Sequence, residues 1–157
     1  MKKLFLAAFA VFAFANVNAQ EGFSVKAGFN SVTASAGSVS ATESGFYLGL
    51  GYQLELSEDI DVEPAVLYSA VSDLNSLYIP IMFKYGISDE FSIMAGPQVN
   101  YLLEDVPQGE FGLDIAAGLA YNISEEFYAE AKYGLQVSRD LGDLDLNSLM
   151  IGVGYRF

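Results

Sequence analysis

Residues 46–56, FYLGLGYQLEL, decide how the chain folds. Large apolar residues occupy every second position of this stretch, and the positions between them hold a tyrosine, glycines or polar residues. A repeat of two residues is the signature of a β-strand, because successive side chains of a strand point to opposite faces. The stretch therefore predicts a strand with one bulky apolar face and one face of mostly small or polar residues.

The same alternation recurs along the chain, and no segment shows a convincing helical spacing of apolar residues. The other predicted strands cover residues 23–33, 60–70, 77–87, 91–103, 111–121, 127–137 and 149–157. Short charged connections at 57–59, 88–90 and 122–126 alternate with connections at 34–44, 71–76, 104–110 and 139–147, of which the first and last are long. This arrangement predicts an all-β fold, an eight-stranded antiparallel up-and-down barrel whose two ends face different environments.

The first nineteen residues differ from the rest. Two lysines precede an apolar stretch of about twelve residues and a small-residue cleavage site, which is typical of a secretory signal peptide. We expect residues 1–19 to be removed and residues 20–157 to form one barrel domain. The net charge of −13 becomes −15 without Lys2 and Lys3, and so acidic a chain is a poor candidate for binding nucleic acid.

The apolar faces are predicted to contact lipid. An eight-stranded barrel is just wide enough for its own side chains to fill, and strands of about ten residues, tilted near 45°, match a bilayer. Aromatic residues fall near both strand ends, as in the girdles of membrane barrels; they are Phe23, Phe91, Phe127, Tyr85, Tyr121, Tyr155 and Phe157 near the short turns, and Phe46, Tyr68, Tyr101 and Phe111 near the other end. The alternative, a soluble barrel with a ligand cavity, would need its largest side chains to point inward.

Charged residues on the smaller face form the sharpest candidate site. We predict a cluster inside the lumen, because ions away from bulk water need partners; its members are Lys26, Glu55, Glu63, Lys84, Glu130, Lys132 and Arg156. Such a cluster would plug and rigidify the lumen. The alternative is a narrow channel for ions or small solutes.

The residue types present argue against an enzyme. The chain has no histidine and no cysteine, which excludes Ser-His-Asp and Cys-His catalysis and metal sites built from His or Cys. Acidic connections such as 104–110 and 139–147 could bind Ca²⁺, but their spacing matches no defined calcium loop. We therefore expect no cofactor and no specific metal site.

Residues 78–103, YIPIMFKYGISDEFSIMAGPQVNYLL, carry a family resemblance. They resemble the central hairpin of the small outer-membrane protein β-barrel domain family, the PorT-like barrels of Gram-negative bacteria. Residues 62–69, 111–121 and 129–136 resemble neighbouring strands of that family, and the general shape is similar to OmpX and to the membrane domain of OmpA. The resemblance implies an integral outer-membrane barrel. We expect its role to be structural or interactive, in the integrity of the outer membrane and in contacts made by its surface loops.

Several partners follow from that expectation. They are the lipid bilayer and lipopolysaccharide, the outer-membrane assembly machinery, and an extracellular partner bound through the outer loops, with the protein itself a monomer. Gly152, Tyr155 and Phe157 resemble the C-terminal signal that the assembly machinery reads, although Met150 stands where that signal usually has a polar residue. Because proline lacks a ladder donor, we expect bulges or bends at Pro64, Pro80 and Pro97.

Overall fold

The computed structural model describes residues 22–72, 74–103, 109–139 and 144–157, so the predicted signal peptide lies outside the described residues. The strands are β1 (Phe23–Ala36), β2 (Val39–Tyr52), β3 (Leu54–Ser57), β4 (Ile60–Val71), β5 (Leu74–Gly86), β6 (Phe91–Leu102), β7 (Phe111–Asn122), β8 (Phe127–Arg139) and β9 (Leu144–Arg156). The described residues include no helix that is long and apolar enough to cross a membrane.

These strands close into a barrel. Consecutive strands pair antiparallel except β2 and β3, which do not pair with each other; β1 also pairs with β9, and β2 pairs with β4. Segments β2 and β3 keep one register against β4 from Gly45 to Glu55, are separated only at Gln53 and shift register only before Ser57, so they act as one strand of an eight-stranded wall. The predicted eight-stranded antiparallel barrel is therefore confirmed.

The wall is strongly staggered. If the paired positions are followed from Asn30 in one direction, they lead to Val71 on β4; in the other direction they lead to Asp61, ten residues lower on the same strand. A stagger of this kind tilts the strands against the barrel axis and sets the barrel's width. Because of this stagger, inward side chains of strands that are far apart in the sequence can contact one another inside the barrel.

The two faces of the wall differ as the alternation predicts. On β1, Phe29 is 61% exposed while Lys26 is 2% exposed, and on β2 Phe46 is 66% exposed beside Tyr47 at 3%. Outward aromatic rings pair between neighbouring strands near the short turns, for example Phe127 with Tyr155 at 4.9 Å between centroids. Bulky apolar side chains thus cover the outside of the barrel.

One connection differs from the prediction. Residues 34–44, expected to form a long loop, are mostly strand: β1 runs to Ala36, β2 begins at Val39, and Gly37 and Ser38 form the turn. Gly37 has φ of +60°, which a two-residue hairpin turn with glycine at its first central position requires. This hairpin extends past the end of β4, whose last pair is Val71 with Gly45.

The bulges expected at the three prolines are absent from the described strands. The β4–β5 pairs lapse after Pro64–Ile81 and resume at Leu67–Tyr78, in the same register. The β5–β6 pairs likewise lapse between Pro80–Gln98 and Phe83–Ala95. Proline removes a donor without adding a residue, so rungs are lost while the register is kept. The pairing register therefore contradicts the expectation of bulges at these prolines.

Candidate functional site: charged residues inside the barrel

Five of the seven predicted charges meet inside the barrel, in what we call the ionic cluster: Lys26, Glu63, Lys84, Glu130 and Lys132. Lys26 Nζ contacts Glu63 Oε1 and lies 2.8 Å from Glu130 Oε2, and Lys84 Nζ lies 2.6 Å from Glu63 Oε2. The order Lys84–Glu63–Lys26–Glu130 joins four strands, β5, β4, β1 and β8, across the lumen. Every member is at most 4% exposed.

Tyr128 packs beneath these charges, and the sequence prediction missed it. Its ring centroid lies 4.9 Å from Lys84 Nζ and 5.4 Å from Lys26 Nζ, within the range of cation–π attraction. Its hydroxyl lies 3.2 Å from Ser24 Oγ. A signal was available, because Tyr128 precedes Glu130 by two positions and must share its face.

Lys132 is the buried cation with the fewest polar contacts. It lies two positions beyond Glu130 on β8 and is 3% exposed. No ion pair or hydrogen bond joins its Nζ to another of the described residues. The ionic cluster therefore carries three cations and two anions, an excess of one positive charge in a confined space.

Arg156 lies below the ionic cluster, at the short-turn opening. Its guanidinium lies 4.3 Å from the Tyr128 ring centroid and donates to Gln53 Oε1 at 3.1 Å and to Asn122 Oδ1 at 2.9 Å. Gln53 donates in turn to Asp61 Oδ2 at 2.7 Å. These side chains from β4, β7, β9 and the β2–β3 junction cover the opening with polar groups.

Glu55 does not join the others. All four residues of β3 are exposed. The first pair of β1 is Phe23 with Tyr52, so β3 lies beyond the closed wall and pairs only with β4. The alternation places Glu55 on the inward side of its strand, but the barrel does not enclose that side at β3. The Glu55 side chain is therefore exposed to water.

Apolar side chains lie above the ionic cluster. The inward residues of β4 run Glu63, Ala65, Leu67 and Ser69, so that Leu67, which is fully buried, lies between a charge and the next polar group. Leu67 packs with Tyr47, Tyr78 and Met150 from three other strands. This apolar layer fills the middle of the barrel.

A second polar group, which we call the amide cluster, lies nearer the hairpin end: Gln98, Asn100, Asp114 and Ser148. Asp114 Oδ2 accepts from Asn100 Nδ2 at 2.7 Å and from Gln98 Nε2 at 3.0 Å, and Gln98 Nε2 lies 3.4 Å from Ser148 Oγ. The charge prediction left out Asp114, although the alternation places its side chain inward. One carboxylate is held here by neutral donors.

The chemistry open to these groups is structural. The ionic cluster offers two carboxylates that are already paired with Lys26 and Lys84, together with the ammonium of Lys132, and the amide cluster offers one carboxylate that accepts from two amides at Oδ2. In the described residues, no group of three or more acidic, His or Cys side chains is arranged to hold a metal ion. The acidic candidates at 104–108 and 140–143 lie outside the described residues.

The predicted assembly residues lie at the end of β9, along the pairing with β1. Phe157 N–H donates to Phe23 O at 2.9 Å, and the Phe157 ring lies 5.1 Å from that of Tyr155, edge to face. Phe157 is 63% exposed on the outward side. A Cβ on Gly152 would collide with the Tyr47 hydroxyl, so a glycine is needed for this close approach.

Comparison with known proteins gives one family and several solved structures of the same fold. The model of the outer membrane protein beta-barrel domain matches residues 4–157. Neisserial surface protein A has a similar structure, with a TM-score of 0.61 and 17% identity over 87% of this chain and 97% of that one. No curated protein sequence matches the chain.

Two further structures share the fold. Ail, the attachment invasion locus protein of Yersinia pestis, has a TM-score of 0.57 and 21% identity over 87% of this chain and 99% of its own. OprG from Pseudomonas aeruginosa has a TM-score of 0.51 and 14% identity, over 89% and 99%. At these identities the likeness concerns the fold.

Proposed function

Since the chain belongs to the outer membrane protein beta-barrel domain family and lies in the bilayer of the bacterial outer membrane, we propose that it is a closed, non-catalytic barrel with a structural and interaction role. The family match bears out the resemblance carried by residues 78–103. In this proposal the short turns face the periplasm and the β1–β2 hairpin faces the exterior of the cell, as is usual for the short and long connections of such barrels.

The observation that carries the closed-lumen proposal is that side chains fill the barrel interior at several depths. The Arg156 network lies at the short-turn opening and the ionic cluster lies above it, while the apolar layer and the amide cluster lie beside each other further up, where Tyr78 pairs with Asn100. An ion that crossed would have to displace paired charges and then pass Leu67 and Met150, which are 0% and 1% exposed. Such a passage is costly for a hydrated ion.

A conductance measurement tests this proposal. The folded protein, reconstituted in a planar bilayer, is expected to give no conductance steps. Leu67→Ala, which thins the apolar layer, is the matched variant, and it is expected to stay silent or to open weakly. Regular steps with the unaltered protein would contradict the closed lumen.

The second candidate, a small ion or solute channel, also has an observation in its favour. Several buried polar oxygens lack a hydrogen-bond partner among the described residues, including Tyr47 Oη, Glu130 Oε1, Asn100 Oδ1 and Asp114 Oδ1. Buried polar atoms without protein partners are sites where water binds. Conductance steps whose ion selectivity changes in the Lys132→Ala variant would favour this candidate.

We further propose that Gly152, Tyr155 and Phe157 direct assembly into the outer membrane, and that the barrel is a monomer. Phe157→Ala keeps the backbone pairing to Phe23 but removes the terminal ring. We expect less folded protein in the outer-membrane fraction, seen as a weaker fast-migrating band on an unheated gel. Ile151→Ala, which also removes an outward apolar side chain from β9, is the control. Equal folded yields for both variants would contradict the assembly role.

A further inference from the structure

The β1–β2 hairpin leaves a free strand edge at the outer end of the barrel. Strand β4 ends at Val71, opposite Gly45, and no described strand pairs with the second edge of residues 39–44. All six of these residues are exposed. An unpaired edge of this length is a template on which another strand can pair.

The hairpin geometry shows which backbone groups are free. A two-residue turn makes Ala36 and Val39 a hydrogen-bonded pair, so the N–H and C=O groups of Ala41 and Glu43 also face β1. Those of Ser40, Thr42 and Ser44 then face the free side. The hydroxyl contact between Thr33 and Thr42, at 2.9 Å, fits the closer side chains of a non-hydrogen-bonded pair.

A cavity of about 350 Å³ lies directly inside this edge. Most of the described residues that line it are apolar, and Glu43 is the one charged residue among them; the lining is Val32, Ala34, Ala41, Glu43, Val71, Ser72, Leu74 and Leu146. Ser72 Oγ lies 2.7 Å from Glu43 Oε2, which holds the carboxylate at the rim of the cavity.

We propose that this edge and cavity bind an extended peptide segment of a partner protein that carries a basic residue followed, two positions later, by an aliphatic residue. The added strand continues the direction of β4, antiparallel to β2. Its basic residue then lies opposite Glu43, and its aliphatic residue lies opposite Ala41 and enters the cavity. The net charge of −13 also favours a cationic partner.

This proposal names the partner for the interaction role proposed above and rests on it. The probe is a fluorescent peptide, TTKTLTT, added to the folded full chain in lipid nanodiscs and followed by fluorescence anisotropy. The reversed order TTLTKTT, the acidic TTETLTT and a backbone N-methylated TTKTLTT are the control peptides. We expect TTKTLTT to bind and each control to bind at least about tenfold more weakly, the effect of roughly one lost charged hydrogen bond.

Two pairs of protein variants locate the site. Thr42→Pro removes an edge N–H and is tolerated where that N–H faces solvent, whereas Thr42→Ala loses the same hydroxyl and keeps the amide. We expect about tenfold weaker binding for Thr42→Pro and a change of about twofold or less for Thr42→Ala. Ala41→Phe, which fills the cavity, should also weaken binding, while the outward-facing Ser40→Phe should not. Folded gel migration verifies that each variant is a barrel.

Three outcomes would overturn the proposal: no binding of TTKTLTT, equal binding by Thr42→Pro, or equal binding of the N-methylated peptide. Cross-linking that shows a dimer of the chain, lost in Thr42→Pro, would also overturn it by assigning the edge to a second copy. Bilayer conductance is measured on the same preparations. A silent bilayer with no peptide binding removes this inference and leaves the closed barrel standing.

Discussion

Two polar clusters lie inside one barrel, and their buried charges are stabilised by different kinds of partner. The ionic cluster places three cations and two carboxylates together and joins all of them except Lys132 through direct ion pairs. The amide cluster holds one carboxylate, Asp114, through neutral donors from Gln98 and Asn100. Removing one partner from a buried ion pair leaves a charge uncompensated, whereas removing a carboxylate from amides leaves neutral donors. Substitutions in the short-turn half of the lumen should therefore destabilise the barrel more than substitutions in the other half.

The largest effect is expected from Glu63→Ala. Lys26 and Lys84 both lose their shared carboxylate, so we expect a loss of about 3–5 kcal/mol in the free energy of unfolding. Urea titration in lipid vesicles, read by the folded band on unheated gels, measures it. Glu55→Ala is the matched control, since Glu55 is exposed, and it should change stability by less than about 0.5 kcal/mol. Similar losses for the two variants would show that the ionic cluster adds nothing.

A smaller loss is expected from Asp114→Ala. The amides of Gln98 and Asn100 lose their common acceptor, at a cost of about 1–3 kcal/mol for unpaired buried donors. The same titration applies, with Asp59→Ala in an exposed turn as the control. A loss as large as that of Glu63→Ala would end the distinction between the two clusters.

The smallest of the three is expected from Gly154→Ala. A Cβ at this position collides with the Tyr128 ring, which lies beneath Lys26 and Lys84. The crowding should cost about 1–2 kcal/mol as the ring shifts. At Gly86 the nearest atom to an added Cβ is 3.8 Å away, so Gly86→Ala is the control. Unchanged stability of Gly154→Ala would mean that the ring has room to move.

The sequence predicts most of the wall and part of the lumen. Alternation alone identifies the inward face, and it therefore selects all five members of the ionic cluster. It could not separate Glu55 from them, because enclosure depends on where β1 begins opposite β2, and that register is a property of strand pairing. Alternation predicts on which side of its strand a side chain lies, but it does not predict which neighbouring strands surround that side chain.

Two other differences have local causes. Residues 34–44 consist mostly of small residues that resemble a loop, yet Gly37 and Ser38 suit a two-residue hairpin turn, which was the available signal. Bulges were expected at the prolines, but the register is kept and only the pairings beside Ile81 are interrupted. Neither outcome follows from residue type alone, since both depend on how the neighbouring strand pairs with these residues.

The closure of the barrel by its first and last strands has a consequence for the order of folding. The bonds from Lys26 to Glu130 and from Tyr128 to Ser24 each join residues 104 positions apart. Contacts so distant in sequence are slow to form, because the entropy of loop closure must be overcome before they stabilise the fold. We therefore expect the ionic cluster to be completed late, when β1 pairs with β9. In a chain whose first and last strands have not yet paired, Lys26 and Glu130 would remain apart.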